Sequence, residues 1–259
     1  MSRVLVTGST EGIGLESAKQ LLESGHQVVG HARNAARADQ LRSALPGLSS
    51  VVVGDLTSLA ETRALAAQAT DAGPFDAVIH NAGVGGATER ALTGDGVERI
   101  FHVNVVAPYL LTALMPRPGR LVYLTSGLES AGRVSLDDLQ YTARAWNGMQ
   151  AYSDSKLYDV IVAFAVARLW PEVLVTTVDP GWIKTRLGGP SAPDAVQDGA
   201  ATQVWLATSD DDAARVTGRY LKRFELLAAN PEASDVDLQD AILARLAEIT
   251  GVGLPHERP

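Results

Sequence analysis

The stretch RVLVTGSTEGIG, residues 3–14, decides the fold. RVLVT (3–7) is a β-branched run of the kind a buried parallel strand shows. IGLESAKQLLESG (13–25) places apolar residues at Ile13, Ala18, Leu21 and Leu22 and stops at Gly25, a helix pattern. Between them lies a glycine turn, and this strand–turn–helix setting is what gives a glycine motif meaning. Gly8 allows the tight turn, Gly12 lets the backbone approach a pyrophosphate, and Gly14 lets the helix pack closely on the sheet. The helix N-terminus, beginning with Ile13, offers free N–H groups and a positive dipole end to phosphates. Ser9 and Thr10 add candidate hydroxyl donors.

Outward from this unit the alternation continues. HQVVGHA (26–32), SSVVVGD (49–55), FDAVIHNAG (75–83), GRLVYLTS (119–126), EVLVTTVDPG (172–181) and GRYLK (218–222) read as strands. Helical patterns separate them at 36–45, 59–73, 94–115, 151–169 and 198–208, and an amphipathic helix closes the chain at 234–252. Alternating strands and helices predict an α/β, Rossmann-type doubly wound parallel sheet of about seven strands in the order 3-2-1-4-5-6-7, with helices on both faces. No repeat or linker divides residues 1–259, so a single domain is expected.

Composition narrows the function classes. The chain has 259 residues, 46% apolar and 20% charged, so it can bury a large core unaided. It has no cysteine, which excludes disulfides, thiolate metal sites and a cysteine nucleophile, and no metal site is expected. A net charge of −8 without a Lys/Arg run argues against nucleic acid and against an anionic membrane surface. No apolar run approaches a bilayer span, and the first strand begins at Arg3, so a cytoplasmic protein is expected.

Tyr152 and Lys156, in AYSDSK (151–156), share one helix face a turn apart. Together with TGSTEGIG, spaced G-x-x-x-G-x-G, this pair makes the chain resemble the short-chain dehydrogenase/reductase family, whose classical members carry TGxxxGIG and YxxxK. The likeness recurs in order along nearly the whole sequence. Asp55 and Leu56 in GDL correspond to the adenine contact. Asn81, Ala82 and Gly83 in HNAG correspond to the turn that stabilises the sheet and lines the cofactor ribose. Asn104 in FHVNVVAP, Ser126 in LTS, and Pro180, Gly181, Ile183 and Thr185 in PGWIKT complete the match. The resemblance implies a nicotinamide dinucleotide held by these residues and by Tyr152 and Lys156. NADP(H) is favoured over NAD(H), because Ala32 stands where an NAD-type chain has aspartate and Arg33, followed by Asn34, offers a guanidinium fork to a 2′-phosphate. Arg37 is a further phosphate candidate, whereas Glu11 in the glycine loop counts against NADP(H).

The implied reaction moves a hydride between nicotinamide and the carbonyl or secondary alcohol of a small organic substrate. A phenol titrates near pH ~10 in water, and a neighbouring ammonium favours its ionised form. Tyr152 is then general acid or base, and Lys156 lowers its pKa and holds the ribose. Ser126 orients the substrate oxygen, and Asn104 holds a water joining Lys156 to solvent. The alternatives are an NADP(H) sensor without turnover and an epimerase or dehydratase of the same superfamily.

Residues 127–150 form a long insertion before the catalytic helix, with a DDLQ segment that resembles the retinol-dehydrogenase-like branch. Trp146 and Met149 within it, and Trp182 beyond it, are candidate pocket walls, Trp182 the better one, since packing the insertion onto the body is the favoured role of Trp146 and Met149. Residues 186–200 are a candidate substrate lid. The helix at 151–169 is apolar beyond one face, so a homodimer or homotetramer is expected, with a monomer as the alternative.

Overall fold

The computed structural model describes residues 1–255. Its centre is a single sheet of eight strands, β1 (Arg3–Val6), β2 (Gln27–Ala32), β3 (Ser50–Val53), β4 (Ala77–His80), β5 (Arg120–Leu124), β6 (Leu174–Val178), β7 (Arg219–Lys222) and β8 (Glu225–Leu227). The order is β3-β2-β1-β4-β5-β6-β7-β8, parallel except for β8. The order reverses between β1 and β4, and ligands of such sheets bind in the crevice beyond the strand ends at this point.

The sheet separates two apolar layers because successive strand residues face opposite ways. Leu5 and Val29 join one cluster, whereas Val4, Val6 and Val28 join the other. Helices α1 (Gly12–Glu23) and α7 (Val196–Thr208) cover the second face through Ala18, Leu21, Leu206 and Ala207. Helix α2 (Ala35–Ala44) is capped by the Asn34 side chain. The first face carries α3 (Leu59–Ala72), α5 (Ala107–Leu114), α6 (Gly148–Leu169) and α8 (Val236–Thr250).

Three features depart from the sequence expectation. The helix expected at 94–115 starts as α4 (Arg99–Phe101), because Leu92 bridges Glu98 and the Glu98 carboxylate caps Ile100 N and Phe101 N. It then widens into a π-helical segment, His102–Val106, before α5. The eighth strand was not expected. Its two-residue turn places Arg223 and Phe224 at φ 48° and 67°, the geometry that sequence normally signals with Asn-Gly. Tertiary contacts hold it instead: Arg223 pairs with Asp194 at 2.6 Å and Phe224 meets Trp205 edge-on at 5.4 Å.

The third departure concerns α6. Its apolar surface is not left bare for a partner, because the C-terminal segment covers it. Ile242, Leu246, Ala233 and Leu254 pack into the same cluster as Val160, Val162 and Val166. Tyr109 Oη donates to Val252 O at 2.8 Å, Trp170 Nε1 donates to Pro255 O at 2.8 Å, and Arg168 binds Gln239 and Asp240. The argument from exposed apolar area to an oligomer through this helix therefore falls. The same packing makes α8 integral to the core, and Leu246→Ala is expected to cost about 2–5 kcal/mol, read as a lower urea midpoint.

Candidate active site

The glycine turn is built by close approach. Gly8 and Gly12 lie at φ +67° and +58°, in the left-handed region that glycine enters freely. A Cβ on Gly14 would stand 2.3 Å from both Gly8 O and Asn81 Nδ2, so only glycine fits there. Glu11 precedes α1 but its side chain does not cap the helix, leaving the first-turn N–H groups open. The carboxylate is occupied elsewhere, pairing with Arg37 at 2.6 Å. The turn is pinned from behind by His31, which sequence reading missed. Gly8 N donates to His31 Nδ1 at 2.9 Å, and the opposite ring nitrogen donates to Gly54 O at 2.8 Å. Burial pulls the His31 pKa down, and the neutral ring is the form that can accept from Gly8.

In front of this turn is an open cleft of about 750 Å³. Its lining includes Gly8, Thr10, Gly12, Ile13, Gly14, Arg33, Asp55, Leu56, Asn81, Ala82, Gly83 and Thr185, so most of the expected cofactor residues are brought together. It also includes four cations without a hydrogen-bond or ion-pair partner among the described residues: Arg33, Arg99, Lys184 and Arg186. Sequence reading found only the first, because the others sit in helical or loop patterns that carry no phosphate motif. Thr185 reaches across the cleft; its Cγ2 would lie 3.3 Å from a Cβ on Gly12. A glycine cradle, open helix N–H groups and unpaired cations fit an extended phosphate-bearing dinucleotide.

Several expected contacts go elsewhere. Ser9 is fully buried; its Oγ donates to Val6 O and accepts from His31 N, so it serves the turn and not a phosphate. Asn34 caps α2 by accepting from Arg37 N. Ile183 is buried beneath Gly199 and bridges Asp194, and Pro180 and Gly181 also lie outside the cleft lining. Trp146 packs edge-on to Tyr141 at 5.4 Å, in a small cluster with Ile100 and Ala151, so it braces the insertion. Trp182 is exposed, with Nε1 donating to Gly188 O at 2.8 Å. The last residues of the expected lid, from Val196 onward, belong to α7.

Tyr152 and Lys156, also expected to touch the cofactor, are not among the residues that line the cleft; they lie behind the turn after β4, whose Gly83 does line it. The Lys156 ammonium is 6.0 Å from the centre of the Tyr152 ring. The turn after β4 lies over both: a Cβ on Gly83 would be 3.6 Å from Lys156 Nζ and 3.4 Å from Asn104 Oδ1. A Cβ on Gly85 would be 2.7 Å from Tyr152 Cδ2 and 3.3 Å from the exposed Leu187. Asn104, inside the π segment, clasps this turn to α6. Its Oδ1 accepts from Val84 N at 2.8 Å, and its Nδ2 donates to Val84 O at 3.0 Å and Ser155 Oγ at 2.9 Å. Ser126, two residues beyond β5, caps the short 3-10 turn Gly127–Ala131 by accepting from Leu128 N at 3.3 Å. That turn packs on α6, where a Cβ on Gly132 would meet Ser153 O at 2.7 Å.

The long insertion is latched to the same helix by Asp154, two residues after Tyr152. Its buried carboxylate accepts from Tyr141 Oη at 2.7 Å, Arg133 N at 2.9 Å and Gln150 Nε2 at 2.7 Å, and pairs with Arg144 at 3.4 Å. Asp138, from the DDLQ segment, organises the loop itself. Burial raises its pKa, but donors from Thr142, Arg144 and Ala143 outweigh this and hold the carboxyl well below its usual range. The described residues hold no group of acidic, histidine or cysteine side chains able to bind a metal, and none of their helices is long and apolar enough to cross a membrane.

Comparison with known proteins now identifies the class. The family model for short chain dehydrogenase matches residues 2–195, and the chain belongs to that family of oxidoreductases, which bind a nicotinamide cofactor. It is 42% identical to an uncharacterized oxidoreductase of Emericella nidulans over 98% of this chain and 99% of the relative. It is 32% identical to retinol dehydrogenase 14 of Homo sapiens over 96% and 85%. A putative uncharacterized protein from Mycobacterium paratuberculosis superposes with a TM-score of 0.85 at 24% identity, covering 98% of this chain and 95% of that one. A blue fluorescent protein from a metagenomic library, in complex with NADPH, gives 0.68 at 25% identity over 85% and 95%.

The contact at Gly85 supplies a test of the arrangement. Gly85→Ala forces the Tyr152 ring aside and is expected to lower oxidoreductase kcat by about 10–100-fold with the fold intact by circular dichroism. Unchanged kcat would contradict the packing described.

Proposed function

We propose that the chain is an NADP(H)-dependent oxidoreductase that interconverts a carbonyl and a secondary alcohol on a small organic substrate. The observation that carries the cofactor preference is the set of unpartnered cations around the cleft of a chain whose net charge is −8. Arg33, beyond β2, is free to fork onto a 2′-phosphate, and Glu11, which argued against such a ligand, is neutralised by Arg37. Arg99, Lys184 and Arg186 add positive field along the same cleft. The solved NADPH complex with a similar fold supports the same choice.

The nicotinamide, when bound, supplies or accepts the hydride. The remaining work belongs to this chain. Ser126 donates to the substrate oxygen and fixes its direction. Tyr152 passes its phenolic proton to that oxygen in reduction and takes it back in oxidation. Lys156 stabilises the ionised phenol and holds the cofactor ribose near Gly83. Asn104 keeps the turn after β4 seated on α6, and its service to a water joining Lys156 to solvent is part of this proposal. Leu187 lines the cleft, and it and the exposed side chains of Trp182 and Met149 are candidates for substrate contact, with residues 186–195 as the lid. The cysteine-free composition suits a reducing compartment, and a cytoplasmic enzyme is the reading carried here.

Two variants separate the cofactor claim from the chemical one. Tyr152→Phe is expected to abolish NADPH-dependent reduction of carbonyl substrates, by about 100-fold or more, while leaving NADPH binding in place. Arg33→Ala is expected to weaken NADPH by about ten-fold or more and NADH far less, measured by fluorescence titration. A phenylalanine variant that keeps its activity, or equal losses for both cofactors, would contradict these assignments. A homodimer built on the helices at 94–115 and 151–169 would have to displace α8, so a monomer is the assembly expected on sedimentation.

A further inference from the structure

Lys156 is almost fully buried, with 4% of its surface exposed. An ammonium in such a place sheds its proton unless a counter-charge holds it. Two acceptors meet it here, Leu124 O at 2.8 Å and Asp159 Oδ2 at 2.8 Å. Asp159 is itself buried, and Lys156 is its only hydrogen-bond partner among the described residues. Residues 152, 156 and 159 fall at helical spacings of four and three, so phenol, ammonium and carboxylate form one stripe along α6. An acid at 159 is not required to transfer hydride or proton. It also opposes the ammonium's field at the phenol, so its presence needs another reason.

The surroundings supply it. The ionisable groups that act on the pair are Tyr152, on the same helix, and Tyr123, from β5. The other polar neighbours, the Leu124 carbonyl and the Asn104 side chain beside Gly83, are uncharged. Without Asp159 the ammonium would rest on neutral acceptors in a dry site. Burial pulls the Lys156 pKa down, and the carboxylate more than restores it; burial pushes Asp159 up to about 6, a rise that the ammonium limits.

We infer that Asp159 is a positioning residue of the site: its carboxylate keeps the buried Lys156 ammonium charged and fixed beneath the Gly83 turn, one helical turn from the Tyr152 phenol. This rests on the oxidoreductase reading of the site. It also shows why a long, flexible side chain is well placed before any cofactor arrives, since an ion pair of this geometry removes the freedom of its rotamers.

The test compares Asp159→Asn with the wild-type chain by two readouts. The first needs no cofactor: the Lys156 side-chain amine of each protein is titrated with pH by NMR, its resonance assigned by its loss in Lys156→Met. The Lys156 transition is expected to move down by about one pH unit or more in Asp159→Asn, because the buried ammonium has lost its counter-charge. The second is the pH profile of alcohol oxidation, whose rise should move to higher pH, with NADPH Kd raised several-fold. Asp159→Glu should recover most of both shifts. Wild-type titration and wild-type Kd in Asp159→Asn, or a uniform fall in kcat with the pH midpoint unmoved, would overturn the proposal. Where Asp159→Asn does not fold, the comparison passes to Asp159→Ser: a lowered Lys156 midpoint supports the proposal, and a wild-type midpoint overturns it. Absence of turnover with every carbonyl tested would sink the oxidoreductase reading alone, since the cofactor-free titration still decides the role of Asp159.

Discussion

The structure depends on the bond between the end of β1 and the end of β4. Asn81 Nδ2 donates to Thr7 O at 2.9 Å and to Gly8 O at 3.3 Å, while Thr7 Oγ1 accepts from Asn81 N and Ala82 N at 3.0 Å each. These bonds lie where the strand order reverses, so they join the glycine turn after β1 to the turn that covers Tyr152 and Lys156. Gly14 is the steric counterpart, since any side chain there would drive into Asn81. One clasp therefore sets the distance between the two halves of the site.

Charge is distributed with the same economy. The chain is acidic as a whole, yet its cleft gathers cations that lack partners among the described residues. Where a cation must be buried, as at Lys156, a carboxylate is buried with it. Where a carboxylate would repel a phosphate, as at Glu11, an arginine is brought to it. The polar network at Asp154 follows the same rule and fastens a loop of irregular structure to the helix that bears Tyr152.

Much of this was legible along the chain because it depends on local pattern. The strand–glycine–helix unit, the parallel alternation, and Tyr152 and Lys156 at i and i+4 all follow from periodicities that neighbouring residues carry. Other parts were not legible. The β7–β8 turn uses Arg223 and Phe224, residues that avoid positive φ, and is held by Asp194 and Trp205 from elsewhere in the sequence. Ser9 carries a hydroxyl suited to phosphate, but the fold spends it on Val6 and His31. Trp146 is aromatic and just precedes α6 in sequence, yet it faces Tyr141.

By itself, then, the sequence determined the alternation of the sheet, the strand–glycine–helix turn and the placing of Tyr152 and Lys156 on one helix, because each is written in short-range spacing and backbone freedom. Only the tertiary structure decided what covers α6, which cations stay free in the cleft, and that Asp159 faces Lys156. Those outcomes depend on which distant side chains compete for the same partner. The apolar face of α6 is the clearest case: its composition demanded burial, but only the packing of α8 shows that the chain buries it against itself.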